Sequence, residues 1–373
     1  MRKSGNYKKI GNFNYFIPES LPPENPGFTM TTQMATLYGD TMQQLAKLNE
    51  MANRLPDTQR FIKAYVIKEA LLSSAIEGVH TTLLDVFTQP LEQSSPKKEI
   101  QLVLNYTKAL AMAVDMIKKE GFPISNRVIL AAHNMLMSLG QGDSADPGSF
   151  RKQSVIVGNL VPPPAQDIVH LMADLEKYIN TDESLPPLIK AGLAHVQFET
   201  IHPFLDGNGR IGRLLIVLML VENNLLTEPI LYPSYYFKKH HLEYYQRLDA
   251  VRTTGDFEGW ISYYLTAIKM TSIDAYKRAE EIESLYTTLV QQLKENSKFI
   301  KTIATRLAAL NLLFINPVIT ISELSEKIDV AYNTARQIVQ DFMELEIVQL
   351  DEQAGKKGLY AFQPYLSVLE KEF

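Results

Sequence analysis

Eight consecutive apolar residues, Leu214-Leu-Ile-Val-Leu-Met-Leu-Val221, restrict this chain more than any other stretch. A helix built from them is apolar on every side, so it is stable only where other elements surround it. Immediately before it stands the opposite kind of sequence, His202-Pro-Phe-Leu-Asp-Gly-Asn-Gly-Arg-Ile-Gly-Arg213. Those twelve residues hold an imidazole, a carboxylate, a carboxamide, three glycines and two guanidinium groups. Upstream, Leu188 to Thr200 carries Ile189, Leu193 and Val196 at helical spacing. The order is therefore helix, polar glycine-rich loop, buried helix.

The residue types of the loop fit one chemistry. Gly207, Gly209 and Gly212 let the backbone approach a ligand and turn its N–H groups into an anion-binding nest. The start of the following helix adds unpaired donors and the positive end of its dipole. Arg210 and Arg213 lie three apart, so they share a helical face and can clamp one polyphosphate. Asp206 is a hard oxygen ligand of the kind Mg²⁺ takes beside phosphate oxygens. His202 can remove a proton near neutral pH. A base, a metal ligand and a phosphate cradle make a phosphoryl- or nucleotidyl-transfer site. A bland glycine-rich helix start with surface arginines has no reason to carry the full set in order.

At these residues the chain resembles the Fic-domain family, whose signature runs His-Pro-Phe, an acidic residue, Gly-Asn-Gly-Arg, two spacers and Arg. Every position is filled. The resemblance implies Mg²⁺-dependent transfer of AMP from ATP to a Ser, Thr or Tyr hydroxyl of a target protein, releasing pyrophosphate. It makes His202 the base and Asp206 the metal ligand. Asn208 and the amides of the glycine loop would bind the α-phosphate, and Arg210 and Arg213 the β- and γ-phosphates. Two further segments extend it. Ser73-Ser-Ala-Ile-Glu77-Gly78 ends a helix with a C-cap glycine and puts a carboxylate at the wrong end of the dipole, so Glu77 needs a partner elsewhere. In the family this pattern marks an inhibitory helix, which implies that Glu77 pairs with Arg213 and denies the γ-phosphate its clamp. Tyr244 and Tyr245, ahead of Gly255-Asp256, resemble the family's paired tyrosines, implying that one faces adenine while the other packs.

Phe150 to Gly158 reads as a short strand or hairpin. In the family this place is a flap that aligns the target segment, so a target protein would dock near 150–158. The fold class expected is mainly α: a helical Fic core with a hairpin flap, plus a C-terminal winged helix-turn-helix.

The 373 residues suggest two to three domains. An extended, proline-rich arm is expected over 1–35 and a helical segment with the inhibitory helix over 36–115, interrupted at Pro56. The core would span 116–270, with a Ser125 N-cap and a loop from Gly140 to Gly148; a connector helix would follow over 271–300. Residues 301–373 read as the winged helix, with Lys356 and Lys357 at the wing tip. That last unit holds seven Lys/Arg against ten Asp/Glu, a net of −3, which does not favour DNA; protein interaction or a homo-oligomer suits it as well. The whole chain carries −5 and no cysteine, excluding disulfides and thiolate metal sites. A polar stretch follows Arg2 and Lys3 where a signal peptide needs an apolar core, and the run 214–221 is too short to span a bilayer. The expectation is a cytoplasmic protein without membrane contact. His195 is expected to be a packing residue, and His240 and His241 a solvated turn, with no zinc site. Two competing readings make the chain an enzyme of the same family that transfers a different phosphate-containing group, or a transcriptional regulator that uses the winged helix, with the core as nucleotide sensor. Against the second, binding ATP needs no base such as His202.

Overall fold

The computed structural model describes residues 2–54, 59–91, 95–138, 146–181, 184–350 and 358–371. Pro56, residues 140–145 of the expected loop, and Lys356 and Lys357 of the expected wing tip lie outside them. The fold is mainly α. The apolar run lies in α8 (Asn208–Glu222), where every residue from Arg210 to Val221 is buried. Around it stand α7 (Pro187–Ile201), α5 (Asn126–Met137), α4 (Lys98–Lys118) and α2 (Gln59–Ile76). The α7–α8 approach is close because Gly212 faces α7: a Cβ there would lie 2.4 Å from Glu199 Oε1. Each fully buried leucine of α8 contributes about 1.5–3 kcal/mol of transfer free energy, so the central helix fixes the layout. By composition α4 is long and apolar enough to cross a bilayer, a match that the run-length argument missed; half of that window is buried, as in a core helix.

The segment expected to be inhibitory is anchored by its middle. Glu69 of α2 is buried and accepts from Ser234 N (3.1 Å), Ser234 Oγ (2.6 Å) and Tyr106 OH (3.2 Å). Burial pushes its carboxyl up to about 7. Those bonds join α2 to α4 and to α9 (Ser234–Lys239).

Several expectations are corrected. The N-terminal arm is not merely extended: β1 (Gly5–Ile10) and β2 (Phe13–Pro18) pair antiparallel, Gly5 opposite Pro18. The prolines mask this, yet Pro18 sits at the strand's end, where a missing N–H costs little. The expected flap hairpin is reduced to one bridge, Val157 with Leu160. Gly158 turns with φ +56° directly after Val157, and Pro162-Pro-Pro164 offers no N–H to continue a ladder. No break separates core from connector, since α11 runs unbroken from Phe257 to Glu295. After Gly259 it contains no glycine or proline to stop it. Ser125 makes no side-chain cap bond; Glu176 accepts from Asn126 N at 2.7 Å instead.

The C-terminal unit runs α12 (Ile303–Ile315), β3 (Val318–Thr320), α13 (Ile321–Lys327), α14 (Tyr332–Glu344), β4 (Gln349–Leu350), β5 (Leu359–Ala361) and an unforeseen α15 (Gln363–Glu370). Its strands form an antiparallel sheet in the order β3-β5-β4. The unit packs directly on α2: Lys63 Nζ donates to Asn316 Oδ1 (2.5 Å) and Lys68 Nζ to the Leu369 carbonyl (2.9 Å).

Candidate active site

Where α7 ends, His202 adopts the left-handed conformation, φ +52° and ψ +61°. A non-glycine residue there costs about 1–3 kcal/mol and persists only when its surroundings impose it. Arg151 does so. Its buried guanidinium donates from Nε to the His202 carbonyl (2.8 Å), from Nη1 to Gln153 O (2.9 Å) and from Nη2 to Pro163 O (2.6 Å). Its backbone N–H reaches Pro203 O at 2.9 Å. Burial lowers its pKa to about 10, which leaves it a cation at neutral pH. Arg151→Ala is expected to cost about 3–5 kcal/mol, because several buried carbonyls lose their donor together. Denaturant unfolding checks this; a loss under about 1 kcal/mol would mean that the carbonyls find other donors.

The other half of the loop is clamped from within. Asn208 Oδ1 accepts from Phe204 N (2.8 Å) and its Nδ2 donates to Phe204 O (2.9 Å). Its carboxamide is thus spent on the loop rather than held out toward a phosphate. Gly207 caps α8 with φ +81°, a conformation that suits glycine. His133 of α5 supports the turn: its Nδ1 accepts from Gly148 N (3.0 Å), which leaves Nε2–H to donate to Asp206 O (3.1 Å). Its ring stacks on Phe204 with centroids 3.7 Å apart. Burial lowers its pKa to about 4, so it is a neutral, oriented prop. Neither Arg151 nor His133 was singled out from the sequence.

The two arginines of α8 differ. Arg210 is buried, yet its Nε and Nη1 have no hydrogen-bond partner among the described residues. Its Nη2 lies 3.6 Å from Asp206 Oδ1. Buried guanidinium donors left unfilled beside a helix N-terminus suit an anion. Arg213, by contrast, is occupied. Its Nε donates to Ser73 Oγ (2.9 Å), and its Nη2 to Ser73 O (2.9 Å) and Glu77 Oε1 (2.7 Å). Burial opposes its charge, but Glu77, Tyr244 and Glu199 together raise its pKa above the ordinary value. A Cβ on Gly209 would lie 2.2 Å from Glu77 Oε1, so glycine there leaves room for the intruding carboxylate. Gly212 faces α7 instead of the loop, and its role is helix packing.

Asp206 is half exposed, with Oδ1 accepting from Gly207 N at 2.6 Å. Among the described residues no group of three or more His, Asp or Glu could hold a metal. A single carboxylate beside a phosphate cradle nevertheless suits Mg²⁺, which keeps waters and takes phosphate oxygens. Burial lowers the His202 imidazole to about 4, against a hydrogen bond to the Glu199 backbone carbonyl that raises it. It is therefore neutral, able to accept a proton. Tyr244 is buried and its hydroxyl lies 2.8 Å from His195 Nε2, while His195 Nδ1 lies 2.8 Å from Gly212 O. Tyr245 is 47% exposed, and Glu77 and Arg213 act on its hydroxyl. The packing tyrosine is thus Tyr244, and Tyr245 is the one left open beside the site.

Residues 123–220 match the Fic/DOC family, and residues 35–115 match the Fic/DOC family N-terminal region. The chain is similar to "Protein adenylyltransferase Fic" of Drosophila yakuba, at 31% identity over 180 residues, 48% of this chain and 33% of that one. The Drosophila grimshawi protein of that name is 34% identical over 155 residues, 41% and 30% of the two chains. The matches span about a third of those relatives' length. In fold, the chain is like a Fic family protein of Desulfovibrio desulfuricans, with TM-score 0.56 at 23% identity over 90% of this chain and 97% of that one. A Fic domain containing signaling protein of Bacteroides thetaiotaomicron gives TM-score 0.53 at 18% identity, over 65% and 97%. Residues 35–115 and 123–220 are thus the parts of this chain that are similar to the Fic/DOC N-terminal region and to the Fic/DOC family.

Proposed function

We propose that this chain is an autoinhibited protein adenylyltransferase, transferring AMP from ATP to a hydroxyl side chain of a target protein. The observation that carries this reading is the contrast between the two arginines of α8: Arg210 keeps unfilled donors while Arg213 is held by Glu77 at 2.7 Å. In the transfer, the neutral imidazole of His202 takes the proton of the target hydroxyl as its oxygen bonds to the α-phosphorus. The bond to the β-phosphate oxygen breaks, and pyrophosphate leaves with the electron pair. The amides at the α8 start and Arg210 hold the phosphates, and Tyr245 offers its ring to the adenine. Asp206 would hold Mg²⁺, which when bound neutralises phosphate charge. With Glu77 on Arg213, the terminal phosphate finds its clamp taken.

The target segment would lie along residues 150–158, where Ile156 and Val157 are exposed. Ile156→Asp is expected to cut target labelling by about tenfold while leaving ATP affinity unchanged, as for loss of one apolar contact. Equal losses in both would remove the docking role. Residues 303–371 follow the order of a winged helix, and their net negative charge supports a protein-facing rather than DNA-facing use.

The direct test supplies ATP labelled on the α- or the γ-phosphate, with Mg²⁺ and host lysate. Protein labelled from the α-position alone supports adenylylation. Label from the γ-position alone would make the chain a kinase, and no label with any variant would favour the nucleotide-sensor reading.

A further inference from the structure

The N-terminal hairpin supports the flap segment where that segment's own ladder stops. Phe16 N of β2 donates to Val161 O at 2.9 Å, and the hydroxyls of Tyr15 and Ser154 lie 2.7 Å apart. β2 therefore lies along the stretch that Arg151 ties to the His202 carbonyl. Directly opposed residues of an antiparallel pair share a face, so the register puts Lys8, Ile10 and Phe13 on the face of Tyr15, joined to Ser154. Tyr7, Ile10 and Phe13 are exposed, as are Ile156 and Val157 of the flap segment.

Both stretches are basic. Residues 1–18 and 149–166 hold six Lys/Arg and no Asp or Glu, in a chain of net −5. Arg2 is taken by Glu258 at 2.7 Å, and Arg151 is buried. Lys3, Lys8, Lys9 and Lys152 are exposed and have no ion pair among the described residues. Lysines alone would be a solvated face, but here they stand among exposed apolar side chains on an open strand. Beyond β2, β1 pairs with no other strand among the described residues. Such an edge keeps main-chain donors and acceptors ready for an added strand. Lys8 and Lys9 repel a second copy of β1 and attract an acidic strand. We propose that the hairpin docks an extended segment of the target protein along the outer edge of β1. Acidic residues of that segment lie opposite Lys8 and Lys9, and apolar ones opposite Tyr7 and Ile10. A nucleic acid would offer phosphates to the lysines but no N–H and C=O groups to the edge. That the partner is the target rests on the transferase reading; the surface itself does not.

Fluorescence anisotropy of the full chain at low salt compares a labelled peptide, Thr-Val-Leu-Glu-Glu-Leu-Val-Thr, with its counterpart carrying Lys for Glu. The acidic peptide is expected to bind at least about tenfold more tightly, since two exposed charge pairs change from attraction to repulsion. Lys8→Glu/Lys9→Glu should reverse the preference, while the same change at exposed Lys47 and Lys177 should leave it. No binding, no preference for the acidic peptide, indifference to the Lys8/Lys9 reversal, or equal binding of a uridine octanucleotide overturns the surface. In the Glu77→Gly background, with α-labelled ATP and lysate, Lys8→Glu/Lys9→Glu should lower protein labelling about tenfold without changing ATP affinity. If the peptide binds as stated and Glu77→Gly labels protein, labelling unaffected by the reversal overturns the target as the partner. No labelling by Glu77→Gly or by the unaltered chain would instead sink the transferase reading and leave the peptide result to decide the surface.

Discussion

Glu77→Gly is expected to raise protein labelling from α-labelled ATP by roughly tenfold, and by no more than about a hundredfold. A hydrogen bond to a charged group is worth about 1.5–3 kcal/mol, and each 1.4 kcal/mol is a factor of ten. Arg213 is buried, but the Glu77 side chain is 36% exposed, and water weakens such a pair. The lower end of the range therefore applies. Removing the carboxylate frees Arg213 Nη2 for a phosphate, although Ser73 still holds the guanidinium through two bonds. Glu77→Gln keeps the shape without the charge and should fall between the two. Fold stability should fall somewhat, because the buried Arg213 loses the carboxylate that favours its charge. Labelling that is unchanged in Glu77→Gly would show the ion pair to be structural only.

His202→Ala, placed in the Glu77→Gly background, is expected to lower labelling by about 10²–10⁴-fold, the usual worth of a positioned general base. ATP affinity should stay within about twofold, since the phosphates rest on the loop amides and on Arg210. The pH profile gives a second readout. A base works in its deprotonated form, which is present above its pKa and lost as pH falls through it. Burial lowers His202 to about 4, so the rate should stay level from pH 8 down to about 5. An imidazole at its ordinary value, about 6.5, would already be mostly protonated at pH 5.5. A rate that halves near pH 6.5 would contradict the neutral base.

Much of the site was legible because it is contiguous. Twelve residues carry base, carboxylate, glycines and both arginines, and their chemistry follows from spacing on one loop and one helix start. Glu77 left a weaker trace: a carboxylate at the unfavourable end of its own helix, which asks for a partner without naming one. Arg151 and His133 left none. They act on main-chain carbonyls 51 and 73 residues away, and no local pattern encodes which backbone oxygen a side chain will meet. Asn208 shows the converse. Its side chain could serve a phosphate or the loop, and only its two bonds to Phe204 show which it does.

The fold divides along the same line. An eight-residue apolar run must be surrounded whatever its conformation, so the buried, central position of α8 was determined by the sequence itself. Local signals failed where pairing is long-range or interrupted. The N-terminal hairpin hid behind prolines, and the flap shrank to a single bridge because Gly158 turns the chain directly after Val157 and the proline run offers no N–H. The unbroken α11 was cut by a change of composition that its backbone ignores. Side-chain chemistry and helix periodicity travel within a turn or two of chain, and the sequence alone settles them. The seating of α2 against Arg213 and that of β2 along the flap segment depend on shape and charge between distant segments. Those were decided only in the tertiary structure.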